Sequence, residues 1–168
     1  VSTVSLLLFV LAAAPVTGAS SDPKAAIATV LDDWHKAAAD ADEARYFGYF
    51  TPDAVYMGTD ATERWTRDEF RAWSKPYFSK GKAWSFKATS RHITVAKDGA
   101  VAWFDETLDT PNLGPSRGSG VLVKDGATWK IAQYNLSIPI PNDLMDEVVK
   151  RIQTQAPAKP APPAPKKK

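Results

Sequence analysis

SRGSGVLVKDGATWKIAQYNLSIPIP, residues 116–141, carries two apolar halves, 118–123 and 128–138, divided by Lys124-Asp125-Gly126-Ala127. A Gly after Asp supplies the positive φ of a tight turn, so the stretch reads as a β-hairpin. A lone hairpin is marginal in water. The remaining apolar segments are therefore expected to supply the other strands of its sheet and the helices that cover it.

Downstream, Pro139 and Pro141 end the second strand because neither can donate a ladder hydrogen bond. Asn142 then opens a helix expected to run through Gln153, with Leu144, Val148 and Ile152 on one side. Upstream, 84–95 and 100–108 read as two long strands joined around Lys97-Asp98-Gly99, a turn of the same chemistry. The second alternates Val101, Trp103, Asp105 and Thr107 with Ala102, Phe104, Glu106 and Leu108, so either phase brings an acid onto an apolar face. Residues 110–115 form a loop able to cover a cavity.

The first half of the chain reads as helical. Residues 23–41 carry Ile27, Val30, Leu31, Trp34 and Ala38 at helical spacing behind an Asp22 cap and Pro23. His35 falls beside that stripe and is expected at the surface or its boundary. Residues 42–50 form a second short helix, stopped by Pro52. Short strands at 54–58 and 60–65 meet around Gly58-Thr59-Asp60. A third helix, 66–79, opens on the capping-box pair Thr66 and Glu69, and Pro76 is expected to bend or shorten its end.

Composition narrows the function classes. The 168 residues contain no Cys, which removes disulfides and thiolate catalysis. The net charge of +2 conceals a split: all 19 acidic residues lie within 22–153, whereas four of the 21 basic ones lie in the Ala/Pro/Lys segment beyond it. A slightly acidic domain with a basic tail gives no nucleic-acid face. The uncharged run Leu6–Ala14, followed by Thr17-Gly18-Ala19, predicts a secretory signal peptide over 1–19 and a secreted or periplasmic protein. That run is too short for a stable transmembrane anchor. The expected organisation is thus 1–19 signal peptide, 22–153 domain with its C-terminal helix, and 154–168 disordered tail. No metal site is expected, since only His35 and His92 are available without an HExxH pattern, and no cofactor is implied.

Several local patterns carry a family resemblance: Trp34-His35, residues 50–55 (FTPDAV), Gly58-Thr59-Asp60, Glu63-Arg64-Trp65, residues 103–106 (WFDE), 117–122 (RGSGVL) and 129–137 (WKIAQYNLS). With the order of helices and strands they resemble the SnoaL-like branch of the nuclear transport factor 2-like superfamily across about 23–144. The resemblance implies an α+β conical fold, a strongly curved, mostly antiparallel sheet wrapped against three N-terminal helices around a cavity, often in a homodimer. Its isomerase members use a carboxylate base on the first strand with a tyrosine and a protonated acid. Here the base position falls on Gly58 and the tyrosine position on Trp34, which argues against steroid isomerisation; Asp60 offers a displaced carboxylate.

The candidate site combines Asp60, Arg64, His92, Asp105, Glu106, Arg117, Gln133, Tyr134 and Asn135 with apolar walls from Trp34, Tyr56, Trp84 and Trp103. In a catalytic version Asp60, His92 or Asp105 moves a proton, Arg117 or Tyr134 binds an oxyanion and Asn135 orients a carbonyl. Not all of these can face inward, and Arg91 or Arg117 can equally form cross-strand ion pairs with Asp105 or Glu106. Gln133 and Asn135 either line a pocket or meet solvent. Two functions follow: binding of a small apolar or carbonyl-containing metabolite, with proton-transfer or hydration chemistry, or a noncatalytic homodimerisation or accessory interaction domain.

Overall fold

The computed structural model describes residues 22–81 and 83–155. The expected signal peptide (1–19) and all of the expected tail beyond Gln155 lie outside the described residues. The elements run α1 (Pro23–Ala39), α2 (Glu43–Gly48), β1 (Phe50–Met57), β2 (Arg64–Thr66), α3 (Arg67–Ser79), β3 (Lys87–Val95), β4 (Val101–Asp109), β5 (Ser116–Asp125), β6 (Thr128–Ser137), a 3₁₀ turn (Asn142–Leu144) and α4 (Met145–Thr154).

Local chemistry explains most boundaries. The Asp22 side chain accepts from Lys24 N and caps α1, and Thr66 and Glu69 exchange both bonds of a capping box at α3. Pro76 sits inside α3, and the helix continues three residues beyond it. Gly126, with φ 59°, turns the opening hairpin between β5 and β6, and Gly99, with φ 71°, turns β3 into β4. Residues 84–86, expected as the start of a strand, have no regular structure, and β3 begins only at Lys87.

The six strands form one sheet in the order β2-β1-β6-β5-β4-β3, antiparallel except for the parallel pair β1–β6. The fold is α+β, with α1, α2 and α3 packed on the sheet. The expectation of a strongly curved sheet wrapped against three helices is corrected in two respects. The sheet is neither strongly curved nor closed, since its edge strands β2 and β3 pair with no further strand among the described residues, and helices and aromatic rings fill the inner face instead. The α-helices number four among the described residues, since Met145–Thr154 has acids in its first turn and Arg151 in its last, both favourable to the helix dipole. None of the residues of α4 is buried.

The inner face is built from Ala102, Phe104 and Leu108 of β4, Leu122 of β5, and Trp129, Ile131, Tyr134 and Leu136 of β6, under Ile27, Leu31 and Trp34 of α1. On β6 the strict alternation fails. The pairing skips from Gln133 opposite Val121 to Ile131 opposite Leu122, a bulge that takes up Ala132. The extra residue shifts the phase, so both Trp129–Ile131 and Tyr134–Leu136 point inward, while Gln133 and Asn135 are only half-buried.

Gly118 is where the sheet has no room for a side chain. A Cβ there would run into Tyr134 Oη and come within 2.9 Å of Glu106 Oε1, whereas nothing lies within 4 Å of a Cβ at Gly48. Gly118→Ala should therefore cost about 1–3 kcal/mol of stability by overpacking, and Gly48→Ala should not destabilise; urea unfolding curves of the two variants check this.

Candidate functional site

Two features on the inner side of the sheet carry chemistry. The first is an aromatic cleft of about 190 Å³ between β1, α3 and the segment before β3, walled by Tyr56, Trp65, Phe70, Trp73, Trp84, Phe86 and Leu136. Stacking fixes the walls: Tyr56 lies on Phe70 at 3.8 Å between centroids, and Trp65 stacks on Trp73 at 5.0 Å. Among the described lining residues, Thr59, Glu63 and Tyr56 bring oxygen-bearing side chains. Burial pushes the Tyr56 phenol up, and the charge of Glu63 pushes it further, so it stays a hydrogen-bond donor at any ordinary pH.

Glu63 reaches the cleft because Gly58 lacks a side chain: a Cβ on Gly58 would collide with the Glu63 carboxylate. The neighbouring Asp60 is occupied differently. Its Oδ1 accepts from Thr62 N at 2.8 Å and Thr62 Oγ1 at 2.6 Å, which closes the turn and holds the carboxyl below its usual range.

The second feature is a buried polar cluster. Arg91 and Glu106 are register partners on β3 and β4, and Arg91 Nε donates to Glu106 Oε2 at 2.8 Å. His35 Nε2 of α1 lies 2.7 Å from Glu106 Oε1. Arg91 Nη1 continues outward to Asp32 Oδ1 at 2.8 Å. Burial opposes the charge on Arg91, but Glu106 and then Asp32 outweigh it, and the guanidinium is held more strongly basic than usual. The Tyr134 phenol is pushed well up by burial, with Tyr56 and Glu106 adding to it, and among the described residues it has no hydrogen-bond partner.

The expected site residues divide among these places. Tyr56 and Trp84 line the cleft, and Asp60 and Arg64 lie exposed in and after the turn beside it. Trp34 and Tyr134 are packed in the core, their rings 4.7 Å apart. Glu106 points inward to the buried cluster. His92, Trp103, Asp105, Arg117, Gln133 and Asn135 belong to the other face of the sheet, where His92 and Asp105 form an exposed pair at 3.3 Å. Of the two adjacent acids on β4, the pleat thus selects Glu106 for the interior.

The sequence reading missed Glu63 and His35. Glu63 carried no signal beyond its place in a turn. His35, read as a surface or boundary residue, is 5% exposed. It continues the spacing of Ile27, Leu31 and Ala38, which was the available sign that it faces the core.

The SnoaL-like domain family matches residues 27–141. The chain belongs to the SnoaL-like family. Among solved structures this SnoaL-like domain is similar to an NTF2-like protein of unknown function from Pseudomonas putida, with TM-score 0.61 and 14% identity over 75% of this chain and 93% of that one. A putative aromatic ring hydroxylase from Novosphingobium aromaticivorans superposes with TM-score 0.58 and 16% identity over 71% and 90%. A putative calcium/calmodulin-dependent protein kinase II association domain from Xanthomonas campestris gives TM-score 0.53 and 21% identity over 78% and 94%. No curated protein matches the chain. At these identities the solved structures show the SnoaL-like domain's fold alone.

The buried phenols set an alkaline limit on the site. Burial pushes Tyr46, Tyr56 and Tyr134 up. In the unfolded chain they ionise at about pH 10, so the unfolded state releases protons that the folded state retains. Their contribution to stability is full below that pH and is lost as pH rises above it. Absorbance at 295 nm should show these three phenols ionising only together with unfolding, as followed by far-UV circular dichroism.

Proposed function

We propose that this is an exported protein that binds a small, largely apolar metabolite carrying a carbonyl group in the aromatic cleft and moves a proton next to that carbonyl. The observation that carries the reading is the approach of Glu63 over Gly58 into an aromatic cleft that also holds the Tyr56 phenol. A flat apolar ligand fits between the rings. The Glu63 carboxylate takes a proton from the carbon beside the carbonyl, the C–H electron pair becomes the enolate C=C bond, the carbonyl π pair moves onto the oxygen, and the protonated Tyr56 phenol donates a hydrogen bond to that developing oxyanion. Return to the same carbon of a proton that has exchanged with solvent gives hydrogen exchange; delivery to another carbon of a conjugated enolate gives an isomer. In the family resemblance the base position falls on Gly58, which has no side chain, and Glu63 brings a carboxylate to that place in the cleft. Export rests on the apolar run 6–14 with its small-residue boundary.

A second reading has support of its own. Trp103 stands 51% exposed on the outer face of the sheet, beside the exposed His92 and Asp105. An exposed tryptophan on a flat sheet face suits the centre of a homodimer interface, and the association domain from Xanthomonas campestris has a similar fold.

Acetophenone in D₂O tests the first reading by NMR. The protein should accelerate exchange of the methyl protons. Glu63→Gln should lower that acceleration by about 10²-fold or more, and Tyr56→Phe should lower it less while leaving benzene binding unchanged. Equal exchange with protein and with Glu63→Gln would overturn the proton-transfer role.

A further inference from the structure

Behind Phe86 lies a second pocket of about 330 Å³, between α1 and the start of β3, lined by Asp32, His35, Lys36, Phe86, Lys87 and Ala88. Phe86 walls both this pocket and the aromatic cleft. His35 is the one lining residue that is both nine-tenths buried and titratable. Its Nε2 is engaged by Glu106 Oε1 at 2.7 Å. Glu106 Oε2 accepts from the Arg91 guanidinium at 2.8 Å, and as the partner of that cation the carboxylate presents an acceptor oxygen to His35. Facing an acceptor oxygen at that distance, a neutral His35 carries its proton on Nε2, which leaves Nδ1 as an acceptor without a partner among the described residues. A carboxylate behind an imidazole fixes its tautomer and steadies the imidazolium when it forms.

The groups facing His35 set the local charge. Glu106 and Asp32 are negative, and each is engaged by Arg91. Lys36 is positive but paired with Asp40 at 2.7 Å. Lys87, at the rim, forms no ion pair among the described residues. An entering anion meets Lys87, which stands opposite Asp109 in the strand register, and the ring of Phe86 and the methyl of Ala88 supply an apolar wall.

We propose that this pocket is a proton-coupled site for a small aromatic or aliphatic carboxylate. The ligand arrives as its anion, and His35 Nδ1 takes one proton from solvent. The resulting imidazolium donates Nδ1–H to the ligand carboxylate and Nε2–H to Glu106. The ligand's second oxygen faces Lys87, and its apolar part lies on Phe86. No bond other than N–H forms or breaks.

Benzoate is the probe. Calorimetric titrations at pH 8 in buffers of different ionisation enthalpy should show uptake of a proton on binding, up to one per benzoate. His35→Gln should abolish the uptake and weaken binding about tenfold or more; His92→Gln should change neither, and Lys87→Gln should weaken binding while preserving the uptake. Two-bond ¹H–¹⁵N correlation on the unaltered protein reads the tautomer directly and does not depend on any variant folding: Nε2–H is expected for free His35. A free His35 protonated on Nδ1, benzoate binding without proton uptake, or uptake that persists in His35→Gln would overturn the proposal. Failure of ketone exchange with intact benzoate linkage would remove only the reading of the aromatic cleft.

Discussion

Glu106 stands in the middle of the inner sheet face with both oxygens engaged, one by Arg91 from the neighbouring strand and the other by His35 from α1. A carboxyl group at 1% exposure beside a guanidinium is tolerated only when charge is compensated and its lone pairs are used. The consequence is geometric. α1 can cross the sheet only where His35 meets Glu106, and Asp32, one turn earlier, joins the same guanidinium. Gly118 belongs to this constraint, since any larger residue on the next strand would press on Glu106 and Tyr134 together.

With α1 fixed there, the rest of the interior is a matter of volume. Trp34, Tyr46, Phe50, Phe104 and Tyr134 fill the space under the helix, with Tyr46 stacked on Trp34 at 5.2 Å between centroids. Two openings lie at the two sides of Phe86. On one side is an aromatic cleft with a carboxylate and a phenol; on the other is a charged pocket ending at His35. One irregular segment, 84–86, divides apolar from ionic recognition. No strand register constrains that segment, which is held by the packing of Trp84 on Phe78 and Phe70 and of Phe86 on His35.

Much of this was legible in the sequence. The Asp-Gly turns, the capping box of α3 and the stripe of α1 are local signals, and each matches its element closely. The exposed C-terminal helix was readable from the same periodicity, although its lack of packing was not. The missing information was non-local. The parallel pairing of β1 with β6 joins segments some 80 residues apart along the chain, and contact between His35 and Glu106 spans 71 residues. The bulge at Ala132 also defeats a strict two-residue alternation, so the inward phase of β6 could not be carried from Trp129 to Tyr134 by counting. Glu63 gained its place from an absent side chain at Gly58, a relation that spacing alone does not display.

The most direct test of the account is a double-mutant cycle on Arg91→Gln and Glu106→Gln, followed by urea unfolding. If Glu106 is the compensated charge that joins helix to sheet, the pair should show a coupling energy of about 1–3 kcal/mol, because either single change leaves a buried partner unmet. Effects that add to within about 0.3 kcal/mol would contradict it.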